Sequence, residues 1–117
     1  MGTGPVAFWK FDEGVGTTTY DSTSSRNNSA ISGATWQTED MCISGKCLLF
    51  DGSNDYVSMS NSSPELGTGN FTISLWAYFG NTAGQWQRLA GKKGISGANA
   101  GYSIYWGGDT GKLMWST

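Results

Sequence analysis

Apolar and polar positions alternate along much of the 117-residue chain with a period of two, the spacing of strands whose side chains point to opposite faces. The strongest instance is residues 71–79, FTISLWAYF. Phe71, Ile73, Leu75, Ala77 and Phe79 fall on one side, and Thr72, Ser74, Trp76 and Tyr78 on the other. Such a run, rich in aromatic and β-branched residues, predicts a central strand. Phe71, Ile73 and Leu75 are expected in a core, with the second face against another layer or a groove.

Further strands are expected at 6–12 (VAFWKFD), 17–20, 29–31, 34–36, 47–50, 56–59, 86–92, 102–106 and 112–116. Turn residues punctuate them: Glu13-Gly14-Val15-Gly16, Ser32-Gly33, Asp51-Gly52-Ser53, a Gly-Asn turn at 80–84, and the stretch from Gly107 to Gly111. The Asp-Gly turn between 47–50 and 56–59 reads as a hairpin-like pairing of those two runs. Residues 21–28, DSTSSRNN, form a polar loop whose side chains bond to nearby backbone. Residues 61–70 are a polar connector with one helical turn at Pro64-Glu65-Leu66, and 94–101 is a glycine-rich link. No window carries a 3.6-residue apolar stripe. Strand follows turn throughout, which favours an all-β antiparallel sandwich over any α/β arrangement.

Composition agrees. Eighteen glycines disfavour helix, since each costs about 1 kcal/mol against alanine in a helix interior. The length suits a single domain, 1–117, with one core. A net charge of −2 with no basic stripe argues against a nucleic-acid partner, and Lys92–Lys93 reads as a solvated strand end. No apolar run is long enough to span a bilayer as a helix, so membrane insertion is not expected. Residues 1–9 lack a basic start followed by an apolar run, so no secretory signal is read there.

Cys42 and Cys47 flank a Ser-Gly turn in MCISGKCLLF. A hairpin-like return there brings two cysteines into disulfide range; two buried thiols or a metal role are the other readings. The disulfide is favoured, because no histidine and no second cysteine pair stand ready to complete a metal site. It would point to an oxidising compartment.

Three motifs stand in a fixed order: W-x-F-D-E-G-x-G from Trp9, F-D-G-x-N-D-Y-V from Phe50, and F-T-I-S-x-W from Phe71, with GYSIYW and GKLMWS downstream. In this order and spacing the chain resembles the laminin-G-like, concanavalin-A-like jelly rolls of secreted and surface-anchored proteins. The resemblance covers essentially the whole chain. It implies an antiparallel two-sheet jelly-roll sandwich, often with a structural calcium, that binds carbohydrate or protein surfaces. Members continue with further strands beyond the segment equivalent to 112–117. On that comparison the chain is either the N-terminal part of a longer domain or completes its sandwich with a second copy, and a homo-oligomer is expected.

The family's calcium maps onto Asp21 with the carbonyls of Asn27 and Asn28, and Asp51 is a weaker candidate. Calcium takes six to eight hard oxygens, which such loops supply, although Asp-Ser and Asp-Gly pairs also serve turns alone. Trp76, Trp86, Tyr105, Trp106 and Trp115 are the pool for a sugar-stacking face; filling a core is the competing use of the same rings. A groove requires at least two of them on one exposed face. Trp9 and Trp36 are read as core. Catalysis is not expected: Asp12 and Glu13 are adjacent and point apart, no histidine is present to activate a nucleophile, and no phosphate loop occurs. The residues point to a non-catalytic extracellular or cell-surface module for glycan or surface-protein binding, or to a self-assembling structural module.

Overall fold

The computed structural model describes residues 4–59, 69–80, 86–92, 102–108 and 110–116. The expected helical turn at 64–66, all but the first residue of the expected Gly-Asn turn, and the whole of the glycine-rich link lie outside them. The chain divides into two compact units, Met1–Phe71 and Thr72–Thr117. Among the described residues all strand pairings are antiparallel, so the protein is all-β.

The first unit holds β1 (Thr18–Thr19), β2 (Ser29–Ser32), β3 (Thr35–Gln37), β4 (Cys47–Leu49) and β5 (Tyr56–Ser58). One three-stranded sheet has the order β1-β2-β5, and β3 and β4 form a two-stranded sheet. The expected hairpin between 47–50 and 56–59 does not form. Leu49 instead pairs with Thr35, and Tyr56 with Ser32. The stretch from β2 to β5 is one long hairpin folded about the 38–46 segment and interrupted midway. Residues 33–34 on one arm face residues 50–55 on the other, and the extra length loops out as the Asp51-Gly52 turn. Gly33 sits at the break with φ +83°, and any Cβ there would meet the Asp55 carboxylate.

The expected first strand at 6–12 also does not form. Only Trp9 makes a ladder contact, an isolated antiparallel bridge to Asp21. Phe11 stands at φ 57°, in the left-handed region, which breaks an extended run before Asp12. Among the described residues of this unit the buried ones are Thr19, Asp21, Ser29 and Ile31, three of them polar. Trp9 and Trp36, expected as core, are half-buried, and each indole N–H donates to a backbone carbonyl, of Asn27 and of Gly16 respectively.

The second unit is built on a three-stranded meander, β6 (Trp86–Lys92), β7 (Tyr102–Gly107) and β8 (Lys112–Ser116). The β7–β8 turn closes as its glycines predict: Gly111, at φ 63°, donates its N–H to the Gly107 carbonyl at 2.7 Å. A bulge at Leu89 shifts the β6–β7 register between Arg88 and Ala90.

The segment 71–79 overturns the expectation of a central strand. Residues 71–80 form no strand, and Phe71 and Leu75 are 43% and 42% exposed. Trp76 and Tyr78 are 83% and 97% exposed, whereas Ile73 and Phe79 are half-buried. Phe79 stacks on Trp106 with ring centroids 4.9 Å apart. Alternation alone does not make a strand, which also needs a backbone neighbour to take its ladder bonds.

Candidate functional site

In the first unit the polar loop closes around Asp21, whose side chain is buried. Its Oδ1 accepts the backbone N–H groups of Phe8 and Thr23, each at 2.9 Å. Its Oδ2 accepts the Thr23 hydroxyl at 2.9 Å and the Asn27 N–H at 3.0 Å. An ionised carboxylate offers about four acceptor positions, and all are taken. Burial on its own would raise the pKa; hydrogen bonds from the Phe8, Thr23 and Asn27 backbone and from the Thr23 hydroxyl outweigh it, and lower the pKa from 3.8 to about 2.

Oxygens of the other residues assigned to calcium accept hydrogen bonds as well. The Asn27 carbonyl accepts the Trp9 indole N–H at 2.8 Å and the Ser29 hydroxyl at 3.2 Å. Asn28 Oδ1 accepts the Asp21 N–H at 3.2 Å. Asp51 is a turn residue, its Oδ1 accepting the Ser53 N–H at 2.8 Å and the Asn54 N–H at 3.4 Å. Among the described residues no three acidic, histidine or cysteine side chains converge. What surrounds Asp21 is a set of N–H and O–H donors, the polarity a cation repels. The Asp21 loop does not fit calcium.

Asp12 and Glu13 act in the same structural way and on different partners. Asp12 accepts the Lys46 N–H at 3.1 Å, and Glu13 accepts the Tyr20 N–H at 2.8 Å and the Thr19 hydroxyl. Cys42 and Cys47 form a disulfide with Cα atoms 5.6 Å apart, as favoured by their spacing.

In the second unit the register of β6, β7 and β8 sorts the aromatic residues onto two faces, because directly opposed residues share a face. Arg88, Tyr105 and Met114 stand in one cross-strand row, and Trp86, Gly107 and Lys112 in the next. Ser103 and Ser116 follow on the same face. Trp86 and Tyr105 meet diagonally, with ring centroids 5.5 Å apart and planes at 50°. Trp86 is 55% exposed and Tyr105 half-buried.

The opposite face carries Trp106 and Trp115. Phe79 lies over Trp106, and Tyr102 stacks on Trp115 at 6.1 Å with planes at 13°. Of the five candidate rings, the sheet therefore brings Trp86 and Tyr105 together on one face, and Trp106 and Trp115 on the other. Trp76 belongs to the 71–80 segment. Arg88, Lys112, Ser103 and Ser116 were not marked by the sequence. Their alternate spacing with Trp86, Tyr105 and Met114 within each strand was the available signal.

Comparison with protein-family models, with curated proteins and with solved structures finds no match to this chain.

Proposed function

We propose that the chain is a non-catalytic, extracellular carbohydrate-binding or adhesion module, with the Trp86–Tyr105 face of the β6–β7–β8 sheet as its binding surface. One observation carries the reading: two aromatic rings share a strand face with a guanidinium, an ammonium and two hydroxyls. Flat rings present π surfaces to the C–H faces of a pyranose, and a few placed polar groups fix its hydroxyls. The laminin-G-like resemblance belongs to this reading, with its two-sheet jelly roll. So does the Cys42–Cys47 bond, which suits an oxidising compartment. Calorimetric titration against soluble glycan oligomers tests it. Trp86→Ala and Tyr105→Ala should each weaken binding at least ten-fold while the fold is retained; unchanged affinity in both would remove this face from the function.

A second reading has its own support. Among the described residues strand β8 is an edge of its sheet, and it is exposed along its whole length, including Leu113, Met114 and Trp115. Such an edge is a template for pairing with a second copy, so self-assembly is the alternative role. Sedimentation across micromolar concentrations separates the two. A monomer leaves the glycan reading in place, whereas a dimer abolished by Leu113→Pro supports assembly.

A further inference from the structure

The chain's nearly neutral total hides a division of charge between its two units. Met1–Phe71 carries three basic and eight acidic residues, net −5, and Thr72–Thr117 carries four basic and one acidic, net +3. No acidic residue occurs on β6, β7 or β8. The single acidic residue of that unit, Asp109, lies outside the described residues. Two of the four cations, Arg88 and Lys112, share the face that holds Trp86 and Tyr105.

Resting on the carbohydrate reading above, we propose that this face selects acidic polysaccharides, in which pyranose rings carry carboxylate or sulfate groups. Arg88 is directly opposite Tyr105, and Lys112 shares the row of Trp86, two strands across. With strands about 4.8 Å apart and same-face residues about 7 Å apart along a strand, each cation stands within one or two residue spacings of a ring. A sugar ring seated on the aromatic pair therefore holds its acidic substituent beside a cation. The guanidinium offers a planar fork that matches carboxylate or sulfate oxygens, and the ammonium acts as a point charge. Ser103 and Ser116, on the same face, supply hydroxyls for neutral positions of the polymer. Surface charges act over about 8 Å at physiological ionic strength, so the cationic field of this sheet, not the chain total, is what a ligand meets there.

Single-stranded nucleic acid also combines stacking bases with negative charge. The hydroxyl pair beside the rings and the disulfide, which belongs to an oxidising compartment, favour the glycan.

The test is calorimetric titration of the whole chain with five probes: oligogalacturonate, its methyl ester, sulfated dextran, an uncharged glucan oligomer and oligo-dT. Oligogalacturonate or sulfated dextran should bind at least ten-fold more tightly than the ester and the glucan, and which of the two binds identifies the acidic group. Arg88→Gln and Lys112→Gln should each remove most of that margin and leave affinity for the uncharged probes unaltered, with unchanged thermal melts. Equal affinity for acid and ester, or indifference to both substitutions, overturns the selectivity and leaves the carbohydrate reading standing. Oligo-dT as the tightest ligand, or no binding by any sugar, overturns both.

Discussion

The two units hold their strands together with opposite materials. In Met1–Phe71 short strands surround a buried carboxylate that accepts four hydrogen bonds, and three of the four buried residues described there are polar. In Thr72–Thr117 three longer strands rely on ring pairs on both faces, tilted on one and stacked on the other, and on a register kept by backbone ladders. The difference follows from what each can bury. Strands of two to four residues cover little apolar surface, so directional bonds to loops must supply the order. A meander of five- to seven-residue strands presents enough same-face side chains to pack against one another. Function divides along the same line: the polar unit turns its carboxylates onto its own backbone, whereas the aromatic unit leaves rings and cations facing outward.

Removing the Asp21 carboxylate tests that contrast most severely. Asp21→Ala leaves two or more buried donors without an acceptor, and each lost charge-assisted bond is worth about 1.5–3 kcal/mol. The expected loss of stability is at least about 3 kcal/mol, read from denaturant melts. The loss should be equal in chelator and in excess calcium, because donors, not a metal, face the carboxylate. A loss confined to calcium-containing buffer would restore the metal and undo the account of the first unit as organised by a polar centre.

Next in size is the Cys42–Cys47 bond, at the closed end of the interrupted hairpin beside the Gln37–Cys47 pair. Closing so short a loop contributes about 2 kcal/mol by restricting the unfolded chain. Paired substitution by serine, or reduction, should lower the melting temperature accordingly. An unchanged melt would mean that the hairpin holds its end without the bond.

What the sequence conveyed and what it withheld divide at long-range pairing. The all-β class, the Gly107–Gly111 turn and the disulfide follow from local signals, and each is present. The partners of each strand are not local. The Asp51-Gly52 turn carries a strong hairpin signal, yet it is an insertion in a longer hairpin, because Thr35 and Ser32 already claim the strands on either side. Residues 71–79 alternate as a strand does, but alternation cannot supply a ladder partner. At the candidate site, alternate spacing groups Trp86 with Arg88 and Ser103 with Tyr105. Joining the two groups required the register, which the bulge at Leu89 shifts by one residue. The polar loop at 21–28 was legible as a loop. That its donors point inward to Asp21, and not its oxygens toward a cation, depends on Phe8, thirteen residues away.

Acid should weaken the first unit before any effect on the second. The Asp21 pKa is lowered from 3.8 to about 2, so its contribution is fully present above pH 3.8 and is lost as pH falls toward 2. A tenfold difference in proton affinity between folded and unfolded chain is worth about 1.4 kcal/mol. The lowering from 3.8 to about 2 is nearly two such factors, so the loss is on the order of 2 kcal/mol. Melts at pH 5, 3.5 and 2.5 follow it. In Asp21→Asn this part of the acid sensitivity should vanish, and persistence of the full slope would place the titrating group elsewhere.

The smallest expected effect on stability is also the sharpest on function. Trp86 is half out of solvent contact and lies on a sheet face, so truncation to alanine forfeits its tilted contact with Tyr105 and part of its buried area. Aromatic pairs of this kind are worth about 0.5–1.5 kcal/mol, and exposure keeps the total for Trp86→Ala near the lower end. A platform residue should thus cost less than about 1 kcal/mol of stability while glycan affinity falls at least ten-fold, a mismatch that no core residue shows. The converse pattern, a loss above about 2 kcal/mol with glycan affinity intact, would make Trp86 a packing residue. The second unit would then resemble the first in using its side chains on itself.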